Sequence, residues 1–251
     1  MEKLRQRLVN WIADRVRESG AEGTVVGLSG GVDSAVVAAL CRQAVGDRCL
    51  ALIMPIASLP EDIEHARLVA GHFGIEARVL PLEGAYGALL DDLCAGLARP
   101  EARPLARANL KPRLRMVALY YCANALNYLV VGTSNRSELA MGYFTKFGDG
   151  AADILPIAGL VKSQVCELAV YLGVPQPIID KPPSAGLWVG QTDEAEMGLT
   201  YAEIDRYLLH GEADPGVACK IEGRIARSQH KLQRPPIAPV EDLLRRNSAR
   251  R

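Results

Sequence analysis

A short apolar run, Val25-Val26-Gly27-Leu28, passes directly into Ser29-Gly30-Gly31-Val32-Asp33-Ser34, and an apolar helical pattern follows from Ala35 to Ala44. That order calls for a strand, a tight glycine turn and a helix N-terminus. Glycines let main-chain amides approach an anion closely, and the helix end adds partial positive charge. Gly27, Leu28, Ser29, Gly30, Gly31, Val32, Asp33 and Ser34 therefore form a candidate phosphate cradle, with the hydroxyls of Ser29 and Ser34 as donors. Asp33 repels phosphate unless a cation lies between them, which argues for Mg²⁺. The Gly-Lys-Ser/Thr signature of the other common phosphate loop is absent. The competing reading is an ordinary strand-to-helix turn.

Downstream, strands and helices alternate. Residues 2–19 carry Leu4, Leu8, Trp11, Ile12 and Val16 at helical spacing, and Gly20 and Gly23 end that helix. Cys49–Met54 reads as a buried strand stopped by Pro55, and Pro60 opens a helix that Gly74 ends. Ala77–Leu80 is a short strand, Tyr86–Leu97 a helix, Ala98–Pro104 a connector, Leu114–Leu126 a long helix and Tyr128–Gly132 a strand. Further helices are expected at Ser163–Leu172, Glu194–Leu209 and Val217–His230, with a loop, potentially a lid, at Lys181–Asp193. The pattern predicts one α/β domain over residues 1–251, a Rossmann-like parallel sheet flanked by helices. Ligands in such sheets bind beyond the carboxyl ends of the strands. The runs Ser29–Ser34 and Thr133–Glu138 both sit there.

Bulk properties exclude several classes. The 29 Lys+Arg balance 29 Asp+Glu, which gives no support to a broad nucleic-acid surface. The basic tail Arg245–Arg251 reads as a solvated end. No apolar run is long enough to span a bilayer, and the charged N-terminus lacks a signal-type apolar core. The six cysteines show no Cys-x-x-Cys spacing and read as small core residues in a reducing cytoplasm.

Other stretches carry chemistry. In Gly132-Thr133-Ser134-Asn135-Arg136-Ser137-Glu138, Thr133 or Ser134 is placed to meet a nucleotide, and Glu138 to join Asp33 on a hard cation. The same string also fits a Ser/Thr helix cap with a capping-box glutamate. Gly142–Asp153 mixes Lys146, Asp149 and Asp153 with aromatics and glycines, a composition that suits a flat ring bearing phosphates better than a solvated loop. Asn109–Met116 brings cations to an expected helix start and invites an anion, or is a solvated basic turn. Lys162 heads a helix within reach of a phosphate, or is simply exposed, and His230-Lys231 is weak alone.

The phosphate loop resembles that of the ATP pyrophosphatase superfamily, which cuts ATP between its α- and β-phosphates. Taken with K-P-R-L-R-M, G-T-S-N-R-S-E, G-Y-F-T-K-F-G-D-G-A-A-D, L-P-I-A-G-L-V-K, K-P-P-S-A-G-L-W and G-Q-T-D-E, nearly the whole chain resembles the ammonia-dependent NAD synthetase family. The resemblance implies ATP-dependent amidation of deamido-NAD by ammonia to NAD through an adenylated intermediate. It implies that Gly27–Ser34, Thr133, Lys162 and Ser184 hold ATP, and that Asp33 and Glu138 bind Mg²⁺. Arg113, Lys146, Asp153, His230 and Lys231 would hold deamido-NAD. For the chemistry itself, Lys162 is read as assisting departure of pyrophosphate, and Asp149 is our candidate for the carboxylate that takes a proton, since ammonia must attack unprotonated. A homodimer is implied too, with no separate glutaminase segment. Pro112 stands where the family often has Ala, and the lid around Trp188 is shorter than in some members. Two other readings stay open: another adenylating enzyme such as a GMP synthetase domain or a tRNA thiolase, and a nucleotide-binding regulator without turnover.

Overall fold

The computed structural model describes residues 1–97, 104–184, 186, 190 and 192–239. Most of the expected connector, Trp188 and the basic tail lie outside the described residues. Strands β1 (Gly23–Gly27), β2 (Cys49–Ile53), β3 (Glu76–Val79) and β4 (Tyr128–Val131) run parallel in the order β3-β2-β1-β4. This is the Rossmann-like α/β sheet that the alternating pattern predicts. β2 is apolar and buried at every position, because helices cover both faces of the sheet.

On one face lie α1 (Glu2–Ser19), α2 (Val32–Val45), α3 (Pro60–Phe73), α7 (Lys162–Leu172) and α8 (Gln176–Ile179). The other face takes α5 (Pro104–Leu126), on which α4 (Glu83–Gly96) packs. A third apolar cluster joins α6 (Arg136–Met141), α9 (Asp193–Met197), α10 (Tyr201–His210) and α11 (Pro215–Leu232) through Met141, Met197, Ile204 and Ile221. α2 is buried almost all round, with Ala35 to Cys41 inaccessible, as its unbroken apolar sequence requires.

The chain builds β2 and β3 on one side of β1, then places β4 on the other. The crevice between the carboxyl ends of β1 and β4 is therefore the switch point where such folds take ligands. The loops after those two strands meet there.

Three boundaries differ from expectation for identifiable reasons. α2 begins at Val32, one turn earlier than the apolar pattern suggests, so Asp33 belongs to its first turn. α5 begins at Pro104 and runs through Pro112, ahead of both the helix start expected in Asn109–Met116 and the helix expected at Leu114–Leu126. Proline in a helix interior removes one amide donor but does not forbid the helix. The Asn109–Met116 cations are thus mid-helix, and the anion argument from a helix start does not apply to them. The single helix expected at Glu194–Leu209 is two, because Gly198 adopts a left-handed φ of 65° and Thr200 with Glu203 forms a capping box for α10.

Leu40, fully buried on α2, tests how far this core supports the glycine loop. Leu40→Ala is expected to cost about 2–5 kcal/mol, read as a lowered midpoint in denaturant with the slope unchanged.

Candidate active site

The glycine loop is held by its neighbours. The Leu28 amide donates to the Leu52 carbonyl at 2.9 Å, which fixes the loop to the end of β2. Gly30 has φ +80°, and a Cβ there would sit 2.4 Å from the Asp62 carbonyl oxygen of α3. Only glycine fits both constraints. Gly31 caps α2 and offers no side chain, which leaves the first-turn amides of α2 to an outside anion. The Ser34 hydroxyl donates to the Gly31 carbonyl at 2.9 Å and lies 3.1 Å from Ser29 Oγ. Ser34 thus braces the loop from inside, and both serines line the cleft.

Asp33 is the centre of the arrangement. One carboxylate oxygen accepts from Asn135 Nδ2 at 2.9 Å, and the other pairs with Lys162 Nζ. Asn135 caps α6, accepting from the Glu138 amide at 3.0 Å, while Glu138 Oε2 accepts from the Asn135 amide at 3.2 Å. The capping-box reading of Glu138 and its placement beside Asp33 therefore both hold, with Asn135 rather than a Ser or Thr as the cap. Burial and the neighbouring Asp33 charge push the Glu138 carboxyl well above the usual carboxylate range. Burial opposes the charge on Lys162, but Asp33 and Glu138 outweigh it and hold the ammonium above the ordinary lysine range.

A second charged group gathers around the Gly142–Asp149 loop. Gly142 ends α6 with φ +61°, and a Cβ there would lie 2.1 Å from Ser228 Cβ. That approach brings the end of α11 onto the loop. Lys231 Nζ donates to the carbonyls of Gly142 and Phe144 at 2.7 and 2.9 Å. Lys146 Nζ donates to the His230 carbonyl at 2.5 Å, and Arg113 Nη2 to the Lys146 carbonyl at 3.3 Å. Burial lowers the Lys231 ammonium, which Asp149 partly restores. Asp149 Oδ1 accepts from the Thr145 amide at 2.9 Å, and the surrounding wall raises its carboxyl above the ordinary aspartate range.

Both groups open into one cleft of about 1040 Å³. Thr133, Ser184, Asp149, Arg113, Lys146, His230 and Lys231 all line it. Two sequence candidates do not: Gly30 is turned toward α3, and Asp153 is turned into β4. Asp153 Oδ2 accepts from the Val130 amide at 2.7 Å, and Oδ1 from the Tyr120 hydroxyl at 3.3 Å. Sequence reasoning passed over Asn135 and Arg115. Asn135 lies three residues before Glu138 in a legible capping pattern. Arg115 lines the cleft and donates to the Met54 carbonyl at 3.0 Å, its cationic residue type being the signal.

A glycine loop and helix N-terminus at a sheet switch point, with paired carboxylates and a buried lysine, define a nucleotide-binding enzyme of the ATP pyrophosphatase type. The NAD synthase family profile matches residues 4–235. The chain is 51% identical to the NH(3)-dependent NAD(+) synthetase of Carboxydothermus hydrogenoformans, over 94% of this chain and 97% of that one. It is 48% identical to the enzyme of the same name from Syntrophomonas wolfei, over 95% and 96%. Among solved structures, it is similar to the NMN synthetase from Francisella tularensis, with 43% identity, a TM-score of 0.90, and coverage of 95% of this chain and 98% of that one. The chain belongs to the NAD synthase family, and it is an enzyme of that family, an ATP-using ligase that forms a C–N bond.

Glu138→Gln keeps the capping-box acceptor and removes a carboxylate crowded by Asp33. A carboxyl raised in the folded state favours folding while protonated, and that contribution is lost as pH rises through its folded value. The variant is therefore expected to gain thermal stability over the parent on the alkaline side, by about 2–4 °C for each kcal/mol relieved, and to lose the advantage in acid. Thermal midpoints across pH check this.

Proposed function

We infer that this protein amidates deamido-NAD with ammonia, at the expense of ATP, to give NAD, AMP and pyrophosphate. The observation that carries the reading is one cleft with the Asp33–Glu138–Lys162 group at the glycine loop and the Arg113, Lys146, His230 and Lys231 group across from it. Its volume of about 1040 Å³ stands at the upper end of the range of about 300–1,000 Å³ for small-molecule sites, as a site for large nucleotide substrates should.

The nicotinate carboxylate is a poor electrophile with a poor leaving group. Attack of its oxygen on the α-phosphorus of ATP expels pyrophosphate and turns AMP into the leaving group. The free amides at the start of α2 receive the pyrophosphate, with Thr133 and Ser184 at the cleft wall. The Lys162 ammonium offsets the charge that develops as the bond breaks. Ammonia then attacks the acyl carbon and AMP departs. Asp149, with its raised carboxyl, accepts the proton that the nitrogen sheds.

Mg²⁺ fits the donor set. Asp33 and Glu138 present hard oxygens side by side, their mutual repulsion is what a cation relieves, and magnesium commonly takes one or two carboxylates plus substrate phosphates. No cluster of three or more ligating side chains occurs among the described residues, so phosphates and water would complete the shell. When bound, the ion would neutralise the pyrophosphate. Asp33→Asn is expected to abolish pyrophosphate release while leaving the fold intact by circular dichroism; near-normal turnover in Mg²⁺ would refute the assignment.

Lys146 is our candidate for reading the acid against the amide, since a charge-assisted contact is worth about 1.5–3 kcal/mol. Lys146→Met is expected to weaken deamido-NAD far more than ATP and to narrow the gap between deamido-NAD and NAD in direct titrations. The likeness to an NMN synthetase favours a second reading, with the acid form of NMN as substrate. Comparing kcat/KM for the two acids separates them, and we expect deamido-NAD to be preferred.

We further propose a homodimer, acting in the cytoplasm, with the whole chain as one catalytic domain. The exposed apolar residues Leu89, Leu93 and Leu97 at the α4 end and Val117 and Tyr121 on the adjoining α5 support self-association. All six cysteines are free thiols, in keeping with a reducing compartment, and no described helix is long and apolar enough to cross a membrane.

A further inference from the structure

α7 carries Lys162 at its first position, yet its cap residue, Val161, has no side-chain acceptor. The exposed helix amides are met from elsewhere. The Ser163 amide donates to Asp205 Oδ2 at 2.7 Å, and the Lys162 amide donates to Ser137 Oγ at 3.1 Å. The Ser137 hydroxyl in turn donates to Asp205 Oδ1 at 2.5 Å. Asp205 comes from α10, 42 residues beyond Ser163 and 68 beyond Ser137. It is only 4% exposed and does not line the cleft. One buried carboxylate therefore fastens the start of α7 to α6, where Ser137 adjoins Glu138.

The side chain of Lys162 is held by the same helix. Lys162 Nζ lies 5.3 Å from the ring centre of Tyr201, one turn before Asp205 on α10. Tyr201 is fixed by its hydroxyl, which donates to Asp193 at 2.9 Å. α10 thus sets both the main chain and the ammonium of Lys162.

We propose that Asp205 is a positioning residue for the reaction: through Ser137 and the α7 amides it fixes Lys162 against the phosphate loop. A carboxylate at the positive end of a helix accepts strong hydrogen bonds. A purely structural cap would make the same bonds. What marks this one is that the two amides it serves, directly and through Ser137, are those of Lys162 and its neighbour. The proposal rests on the reading that Lys162 acts on ATP.

The test is a double-mutant cycle on the full-length protein with ATP, deamido-NAD and ammonia. Asp205→Asn keeps the shape and guards against a variant that fails to fold; Ser137→Ala breaks the relay alone. Asp205→Asn is expected to lower kcat on the order of 10- to 100-fold, with little change in KM for ATP. In a Lys162→Ala background the same substitution is expected to add nothing. Where the residual rate of Lys162→Ala is too low to compare, the cycle is read from the affinity for pyrophosphate, with the same non-additivity expected. Equal losses with and without Lys162 would show a plain helix cap and overturn the proposal, as would a wild-type kcat in Asp205→Asn. An inactive parent protein would instead refute the reading on which the proposal stands, and the proposal with it.

Discussion

The ion pair between Asp33 and Lys162 joins residues 129 apart, and the site is arranged around it. Asp33 sits on the first turn of α2, Lys162 on the first residue of α7, and Asn135, the third partner, caps α6. Three helix starts converge on one carboxylate. Each brings its positive end toward the crevice between β1 and β4, which offsets part of the negative charge that Asp33 and Glu138 gather there. A buried ion pair is weak evidence for stability, because desolvation offsets most of its attraction. What this pair does supply is register among α2, α6 and α7, the elements whose relative placement decides whether a phosphate chain can be gripped.

The same pair explains why Glu138 can stand where it does. Two carboxylates in one partly buried corner repel, and Lys162 supplies the single compensating charge. The corner thus holds two carboxylates against one cation, and burial together with that excess pushes the Glu138 carboxyl up. That imbalance costs stability in the free protein and is available to a cation. Sites that pull against the fold in this way are common where chemistry is done.

Much of this was legible in the chain. The Ser29–Ser34 run betrayed its turn because glycine, hydroxyl and acid occur together after an apolar strand. Glu138 was legible in two ways at once, as capping glutamate and as second carboxylate. The reading failed where the deciding contact was remote or where one residue had two meanings. Pro112 signals a helix start as readily as a tolerated interior proline, and only the packing of α5 chooses. Gly198 with Thr200 marked a break that the apolar spacing of α9 and α10 concealed. Asp153 read as a ligand residue, yet it serves β4. Asp205 carried no signal at all, since its partners lie 42 and 68 residues away and neither spacing has a motif.

Asp153 also settles the fate of a sheet margin. β4 is the last strand on its side, and the outward amide of Val130 would be open to any passing strand. Asp153 Oδ2 accepts that amide, the Asp153 amide donates to the Val130 carbonyl at 2.9 Å, and the Gly132 amide donates to the Ile154 carbonyl. At the opposite margin β3 is four residues long and carries Glu76 and Arg78, paired across its own surface. One border is plugged from within and the other is short and charged, the devices by which proteins refuse edge-to-edge pairing. Both margins therefore resist strand pairing with another chain, and the order of the sheet stays that of a single molecule.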